Sequence, residues 1–461
     1  MKVEQIYTGC LSQGAYYIES NGEAAIIDPL RETKPYLERA KNDNAKIKYI
    51  FETHFHADFV SGHLTLSQQT GAPIIYGPHA NPSFEAILAK DDEVYKLGDV
   101  TITAIHTPGH TMESTTYLLK DENGKDYAIF SGDTLFLGDV GRPDLAQKSN
   151  EITQEELAGI LFDSLRKKIM PLADDVIVYP AHGAGSACGK NMMKETVDTL
   201  GNQKKMNYAL REDMTREEFI KEVTDGLAPP PLYFPMNVKM NREGYTSFDE
   251  VITEGTKPLD AETFERLANE TDAIVLDVRH QSEFIKEHIP RSIFIGLDGG
   301  FAPWVGALIA DVEQKILLVV SPGREEEAVT RLSRVGFDRT LGFLDGGIDA
   351  WKNAGKEVDT MESVSAETLK IELEKNVPVF DVRNDGEYNG AHLSQAVHAP
   401  LGFLNEHLND FPSNEKFYVH CAGGYRSVIA ASILKSRGIH NVVDVAGGFA
   451  AIKNAGIPVE A

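Results

Sequence analysis

Cysteine is scarce in this chain: Cys10, Cys188 and Cys421 are the only three in 461 residues. An odd, widely spaced set in a chain long enough to bury its own core argues against a disulfide framework and predicts reduced thiols in a cytoplasmic protein. Long apolar runs are missing too. The longest aliphatic stretches, such as residues 316–320, have the length of a strand and fall far short of a membrane span. The opening MKVEQIYTGCLSQGAYYIES has no basic segment followed by an apolar one, so no signal peptide is expected. Basic charge is in deficit, with 45 Lys and Arg against 70 Asp and Glu and a formal net charge of −25. That balance speaks against nucleic acid and membrane surfaces as partners, since both attract cations. What remains, 42% hydrophobic and 25% charged residues, is the composition of folded protein. At roughly 150 residues per domain the length suggests three domains.

The clearest break is GLAPPPLYFPMN, where Pro229, Pro230, Pro231 and Pro235 are expected to interrupt regular hydrogen bonding, giving a Pro-rich linker over 229–247. Beyond it the chain repeats itself. Asp277-Val-Arg279 with Glu283, His288 and Leu297 matches Asp381-Val-Arg383 with Glu387, His392 and Leu401 without a gap. Further on, Gly346-Gly347 and Lys352-Asn-Ala-Gly355 match Gly447-Gly448 and Lys453-Asn-Ala-Gly456. These are two copies of one domain, over 255–356 and 360–461. In the second copy, 377–382 and 417–420 read as buried strands and 427–437 as a helix, an alternation that predicts a doubly wound α/β sheet. The region before the break has strand-like runs at 24–27, 47–51, 100–105, 115–119, 127–130 and 176–179. Capping boxes at Thr153-x-x-Glu156 and Thr215-x-x-Glu218 mark helix starts there. Packed sheets covered by helices are expected.

Four polar clusters each follow directly on one of those strands: Thr53-His-Phe-His-Ala-Asp58, Thr107-Pro-Gly-His110, Ser131-Gly-Asp133 and Pro180-Ala-His182. Loops at strand ends can bring distant ligands together. Imidazole and carboxylate suit Zn, Fe, Mn or Ni, so a shared metal is the expectation. His54-x-His56-x-Asp58, with His110, Asp133 and His182, resembles the metallo-β-lactamase superfamily. The resemblance implies a four-layer αββα sandwich over residues 1–245. The full signature carries a further His directly after Asp58, where this chain has Phe59. Phe cannot ligate, so the departure points away from the dinuclear zinc hydrolases of that superfamily, glyoxalase II included. The set is most similar to the persulfide dioxygenases, and that likeness implies a single Fe(II) held by His54, His110 and Asp133. Two histidines and a carboxylate leave positions free for a persulfide sulfur and dioxygen. His56, Asp58 and His182 then flank the ligands and orient them. Arg142 is a candidate for holding a carboxylate of the thiol carrier, with an ion pair to Asp144 or Asp139 as its structural alternative. Cys188, in Gly183-Ala-Gly-Ser-Ala-Cys188-Gly189, is a candidate for substrate exchange or a buried structural thiol. Cys10 has no such company and reads as structural.

Val419-His-Cys421-Ala422-Gly423-Gly424-Tyr425-Arg426-Ser427 ends a strand and opens a helix. A thiolate at a helix N-terminus is stabilised by the amides aimed at it, and a neighbouring Arg adds to this. The Cys-x-x-Gly-x-Arg pattern, with Asp381-Val-Arg383 and the final Gly447-Gly448, resembles the rhodanese family. That implies that Cys421, assisted by Arg426, accepts sulfane sulfur as a persulfide and passes it to sulfite. In the first copy Val320 falls opposite Cys421 and Glu325 opposite Arg426, within Val320-Ser-Pro-Gly-Arg-Glu-Glu-Glu327. With no thiol and an acidic run, that copy is expected to keep the scaffold without the chemistry. Trp304 and Trp351 read as its core aromatics.

The chain as a whole, α/β throughout, resembles three-domain persulfide dioxygenase–rhodanese fusions of bacteria (CstB type). In such a fusion a low-molecular-weight thiol persulfide is oxidised by O2 to sulfite at mononuclear Fe(II), and rhodanese transfer makes thiosulfate. The resemblance also implies a homo-oligomer, with no nucleic acid or membrane partner. Two rival readings are a zinc thioester hydrolase with a sulfurtransferase tail, and a sulfur carrier whose metal is structural.

Overall fold

The computed structural model describes residues 1–146 and 152–460. Its first region is shaped by strands that are apolar on both faces. In Gln13–Ser20, Tyr16 and Ile18 enter one core while Ala15 and Tyr17 enter another on the opposite side. A strand buried on both faces must lie inside a stack of layers. Two six-stranded sheets result. One runs Lys2–Thr8, Gln13–Ser20, Glu23–Ile27, Lys46–Phe51, Ile74–Tyr76, Ile87–Leu88, antiparallel at first and parallel from Glu23–Ile27 onward. The other runs Asp198–Thr199, Ile177–Pro180, Asp126–Gly132, Thr115–Lys120, Val100–His106, Glu93–Leu97. Tyr16, Ile18, Ile27 and Phe51 of the first sheet and Ile102, Tyr117, Leu119 and Phe130 of the second make the core between them. Helix Lys34–Asn42 covers the outer face of one sheet and Gln154–Ser164 that of the other. The expected αββα sandwich is therefore present. Both expected capping boxes form, at Thr153 and at Thr215.

The sheet directions place the site. Glu23–Ile27 and Lys46–Phe51 are parallel neighbours, so Asp28 and the loop from Glu52 to Asp58 leave the first sheet together. Asp126–Gly132 and Ile177–Pro180 are parallel neighbours in the second sheet, so Asp133 and His182 also emerge side by side. Val100–His106 runs the same way, because both it and Asp126–Gly132 pair antiparallel with Thr115–Lys120. His110 thus follows from the same edge.

The Pro-rich stretch departs from expectation. Pro235 does not break structure. It occupies the first turn of helix Phe234–Glu243, where its missing N–H has no partner to lose. By packing, that helix belongs to the first of two units, built mainly from Met1–Phe248.

The second unit, mainly Asp249–Ala461, holds both repeats. Each is a five-stranded, fully parallel sheet. The strand order is Pro258–Leu259, Thr340–Leu344, Ile316–Val319, Ile274–Asp277, Ile293–Phe294 in one. In the other it is Ser363–Val364, Val442–Val445, Phe417–His420, Val379–Asp381, Ala396–His398. Corresponding strands occupy corresponding places, as the internal repeat predicts. Trp351 is buried against Phe264, whereas Trp304 is only half-buried and is not a full core residue. Among the described residues no helix is long and apolar enough to cross a membrane, and all three cysteines are free.

The Asp-Val-Arg motif explains itself here. Arg383 grips Asp381 with Nε at 2.9 Å and Nη2 at 2.6 Å, and its guanidinium lies 3.7 Å from the Phe449 ring centroid. Arg279 grips Asp277 in the same way in the first repeat. Both partners of the second pair are buried, so removing one strands a charge. Arg383→Ala should cost about 3–5 kcal/mol of unfolding free energy, measured by urea denaturation. The double replacement Asp381→Leu/Arg383→Met should cost less than the single change, and a larger loss in the double would refute this account.

Candidate functional site

Thr53 is the keystone of the first loop. Its N–H and hydroxyl donate to the two oxygens of Asp28, each at 2.8 Å. With its proton committed, Thr53 Oγ1 can only accept at 3.0 Å from His54 Nδ1, which leaves the His54 Nε2 lone pair free. His110 Nδ1 lies 2.8 Å from the Arg142 carbonyl, a pure acceptor, so His110 Nε2 is also bare. Both lone pairs point to the same atom, Asp133 Oδ2, from 3.9 Å for His54 and 3.4 Å for His110. All three side chains are buried, and neither Asp133 oxygen has a hydrogen-bond partner among the described residues.

Burial pushes His54 well below its ordinary pKa and His110 down to about 4, so both rings are neutral at physiological pH. Burial raises Asp133 to about 6. Two neutral lone pairs facing a carboxylate repel it unless a cation stands between them. These three donors, all within 4.8 Å of one another, therefore fit a metal ion.

The other predicted residues divide. His56 turns away from this set, with Nε2 3.1 Å from Asp28 Oδ1 and 3.6 Å from Glu52 Oε2. Burial opposes its charge, but those carboxylates outweigh burial and hold it up at about 9. His56 thus leans on those carboxylates, and it also stands within 4.8 Å of the Asp58 and His182 donors. The Phe59 ring lies 4.3 Å from it and takes the place of a ligand. His182 Nε2 stands 3.5 Å from Asp58 Oδ1 and 3.6 Å from Asp133 Oδ1. Cys188 is buried within 4.8 Å of the Asp133 and His182 donors, so it belongs to the site and not to a remote core. Arg142 closes on Asp144 with two 2.7 Å bonds and on the Ala228 and Ala187 carbonyls at 2.6 and 3.3 Å. Its fork is committed to the fold. Its backbone serves the site, since its carbonyl fixes His110 and its N–H donates to the Cys188 carbonyl at 3.1 Å. Asp139 instead accepts from the Lys190 and Asn191 amides.

Three contributors escaped the sequence reading. Asp28 and Glu52 each follow an apolar strand, the signal that revealed the four clusters, and could have been found by it. Asn241 could not. From helix Phe234–Glu243 its Nδ2 donates to the carbonyls of His56 and Phe59, both at 2.8 Å, and its Oδ1 accepts from Ser61 N. Beside this loop opens a cleft of about 240 Å3, lined by Ala57, Asp144, Pro230, Phe234 and Pro235 among others.

In the second repeat, strand Phe417–His420 ends on Cys421 and helix Arg426–Ser436 begins after the loop. The Gly424 amide donates to Cys421 Sγ at 3.1 Å, and Ser427 Oγ lies 3.6 Å from it. Gly424 has φ +96°, which favours glycine. The closing Gly-Gly seats the loop: Phe449 N donates to the Cys421 carbonyl at 2.6 Å, and a Cβ on Gly448 would come within 2.3 Å of that oxygen. Arg426 is not a free cation beside the sulfur, because Glu387 holds it bidentately at 2.6 and 2.7 Å. In the first repeat Val320 follows strand Ile316–Val319 and Glu325 opens the helix, as the internal alignment places them. There Glu325 bends back to accept from the Gly323 amide at 3.0 Å, filling with its own carboxylate the place an anion would take.

Residues 8–182 match the family model for the metallo-beta-lactamase superfamily, and residues 260–354 and 365–455 match that for the rhodanese-like domain. A probable hydroxyacylglutathione hydrolase of Schizosaccharomyces pombe is 30% identical over 182 residues, 38% of this chain and 66% of that protein. A cytoplasmic hydroxyacylglutathione hydrolase of Arabidopsis thaliana is 33% identical, with 29% and 53% covered. The chain thus spans about half to two thirds of those relatives. The human mitochondrial persulfide dioxygenase ETHE1 is 27% identical over 221 residues, 48% of this chain and 78% of that protein. A crystal structure of a metallo-beta-lactamase from Staphylococcus aureus superposes with a TM-score of 0.66 at 29% identity, covering 75% of this chain and 98% of that one.

Metal binding at His54, His110 and Asp133 requires the carboxylate in its charged form. Since Asp133 titrates near 6 without metal, affinity should be flat above that pH and fall about tenfold per unit below it. Competition against a chromophoric chelator at pH 5, 6 and 7.5 measures this. Equal affinity at pH 5 and 7.5 would remove Asp133 from the ligand set.

Proposed function

For a chain that joins a metallo-beta-lactamase domain to two rhodanese-like domains, we propose the oxidation of thiol persulfides by O2, coupled to sulfur transfer. The observation that carries this reading is the pair of diverted positions. His56 Nε2 leans on Asp28 and Glu52 and Phe59 is apolar, while His54, His110 and Asp133 form a two-histidine, one-carboxylate set, the set this reading uses. Such a set would hold Fe(II) through His54, His110 and Asp133, and the ion would supply the redox chemistry. The overall reaction is RSSH + O2 + H2O → RSH + sulfite + 2 H+.

The chain's own residues supply the setting. Thr53 and the Arg142 carbonyl hold the two rings so that Nε2 faces inward. Burial raises Asp58 to about 6, and its Oδ1 lies 3.5 Å from His182 Nε2. Between these atoms a proton released by the persulfide can be held close to neutral pH. Asn241 and helix Phe234–Glu243 fix the loop from the outside.

At the second site, the Cys421 thiolate attacks the outer sulfur of a second persulfide. The S–S bond to the carrier breaks, the carrier leaves as its thiolate, and Cys421 keeps the sulfur as a persulfide. Sulfite sulfur then attacks that outer sulfur, thiosulfate departs, and the Cys421 thiolate is restored. The Gly424 amide at Sγ stabilises the anion at both ends of the cycle.

A second reading is a zinc-dependent thioester hydrolase. A second donor group, His56, Asp58 and His182, favours it together with the Asp133, His182 and Cys188 group, as do the hydroxyacylglutathione hydrolases among the relatives.

Oxygen-electrode traces with glutathione persulfide on the iron-loaded protein separate the two. Uptake matched by sulfite is expected, with Asp133→Ala slower by about 100-fold or more and Cys421→Ser accumulating sulfite without thiosulfate. Absence of uptake, with hydrolysis of S-lactoylglutathione by zinc-loaded protein, would sink the dioxygenase reading.

A further inference from the structure

The residue between Gly424 and Arg426 does not pack into its own repeat. The Tyr425 hydroxyl donates to the Gly296 carbonyl of the thiol-less repeat at 2.6 Å. Its ring meets Phe294 edge-on at 5.9 Å and lies flat against Gly299. A Cβ on Gly299 would come within 2.3–2.6 Å of three ring carbons, so only glycine permits this approach. Burial raises the Tyr425 phenol well above its ordinary pKa, which keeps it a donor. A second staple lies along the same helix, where Phe294 N donates to Ser432 Oγ at 3.0 Å.

The gripping segment is itself held by the corresponding loop of the thiol-less repeat. Arg331 Nη1 donates to the Leu297 carbonyl at 2.6 Å, and Arg324 binds Asp298 at 2.8 Å. Glu327 ties these two arginines together, at 2.7 and 3.0 Å to Arg324 and 2.6 Å to Arg331. Arg324 and Glu327 stand in the stretch whose counterpart in the other repeat carries Cys421 and Arg426. In place of a thiol that stretch carries an ion-pair chain that ends at the neighbour's loop.

We propose that the thiol-less repeat positions the sulfur-accepting loop. By gripping Tyr425 with Gly296 and Gly299 it fixes the peptides on either side, which hold the Gly424 N–H on Cys421 Sγ and Arg426 on Glu387. The need is physical. A loop with two adjacent glycines, one at φ +96°, has many conformations, and in few of them does that amide point at the sulfur. An anchor outside the loop removes this freedom before substrate arrives. Tyr425, Gly299, Arg324 and Arg331 are positioning residues, since none touches the sulfur. The role rests on Cys421 being the sulfur acceptor.

The test uses the full chain and its Tyr425→Phe, Gly299→Ala and Arg324→Gln variants. Two readouts are followed on the Cys421 peptide by mass spectrometry: the pH profile of alkylation by iodoacetamide, and the rate of one-sulfur loading from glutathione persulfide. Melting temperatures are recorded alongside. Tyr425→Phe keeps the ring and so guards against a folding failure in Gly299→Ala. Tyr425→Phe and Gly299→Ala should move the alkylation midpoint to higher pH and slow loading about tenfold. Arg324→Gln should shift both in the same direction by less, and oxygen uptake at the metal site should not change. An unaltered alkylation profile in both Tyr425→Phe and Gly299→Ala would overturn the proposal, even where Cys421 loads normally. Failure of the unaltered protein to load sulfur would instead overturn the reading of Cys421, because the alkylation profile reports the grip without any sulfur transfer.

Discussion

A buried carboxylate that meets no N–H or O–H donor is among the most costly groups a protein interior can hold, and among the described residues Asp133 is one, with only the Cys188 thiol beside it. The sandwich is arranged around it. Gly132 before it has φ +54°, and a Cβ there would come within 2.7 Å of Thr53. A Cβ on Gly141 would come within 2.2 Å of the Asp133 carbonyl and 2.9 Å of His110 Nδ1. Both glycines let backbone close in where side chains would hold the ligands apart. The parallel pairing of Asp126–Gly132 with Ile177–Pro180 sets His182 alongside. The cost of such a centre, incurred in folding, is recovered only when a cation binds, so stability and metal loading are linked through one side chain.

What the sequence discloses follows the range of the physics. Polar residues placed directly after apolar runs revealed His54, His110, Asp133 and His182, since strand ends share an edge whatever the distances along the chain. The internal repeat disclosed the two parallel sheets and the lost thiol, because one copy serves as the control for the other. Asn241 remained hidden: its bonds to His56 and Phe59 span 185 and 182 residues, and no local pattern encodes them. The same holds for Tyr425 and Gly296, and for the commitment of Arg426 to Glu387. The proline run misled for a simpler reason. Proline ends helices from the inside but begins them readily, and Pro235 begins one.

The two repeats separate scaffold from chemistry. Each retains the buried Asp–Arg pair at the end of an inner strand of its sheet. They differ at the atom that would react and in what occupies the loop. In one copy the amide faces sulfur, in the other the carboxylate of Glu325. A loop that supplies its own anion has no call for another, and its charged side chains are free to bind protein instead.

The cleft beside Ala57 has a further consequence. At about 240 Å3 it falls below the roughly 300–1,000 Å3 of pockets that enclose whole small molecules. A peptide-sized thiol that reached the ligands this way would shelter little more than its sulfur end, leaving its body in water. The protein would then recognise a functional group and remain largely indifferent to the molecule that bears it. Selectivity of that kind would rest on the end group alone, and the chain's formal net charge of −25 would weigh against the more anionic ligands before contact.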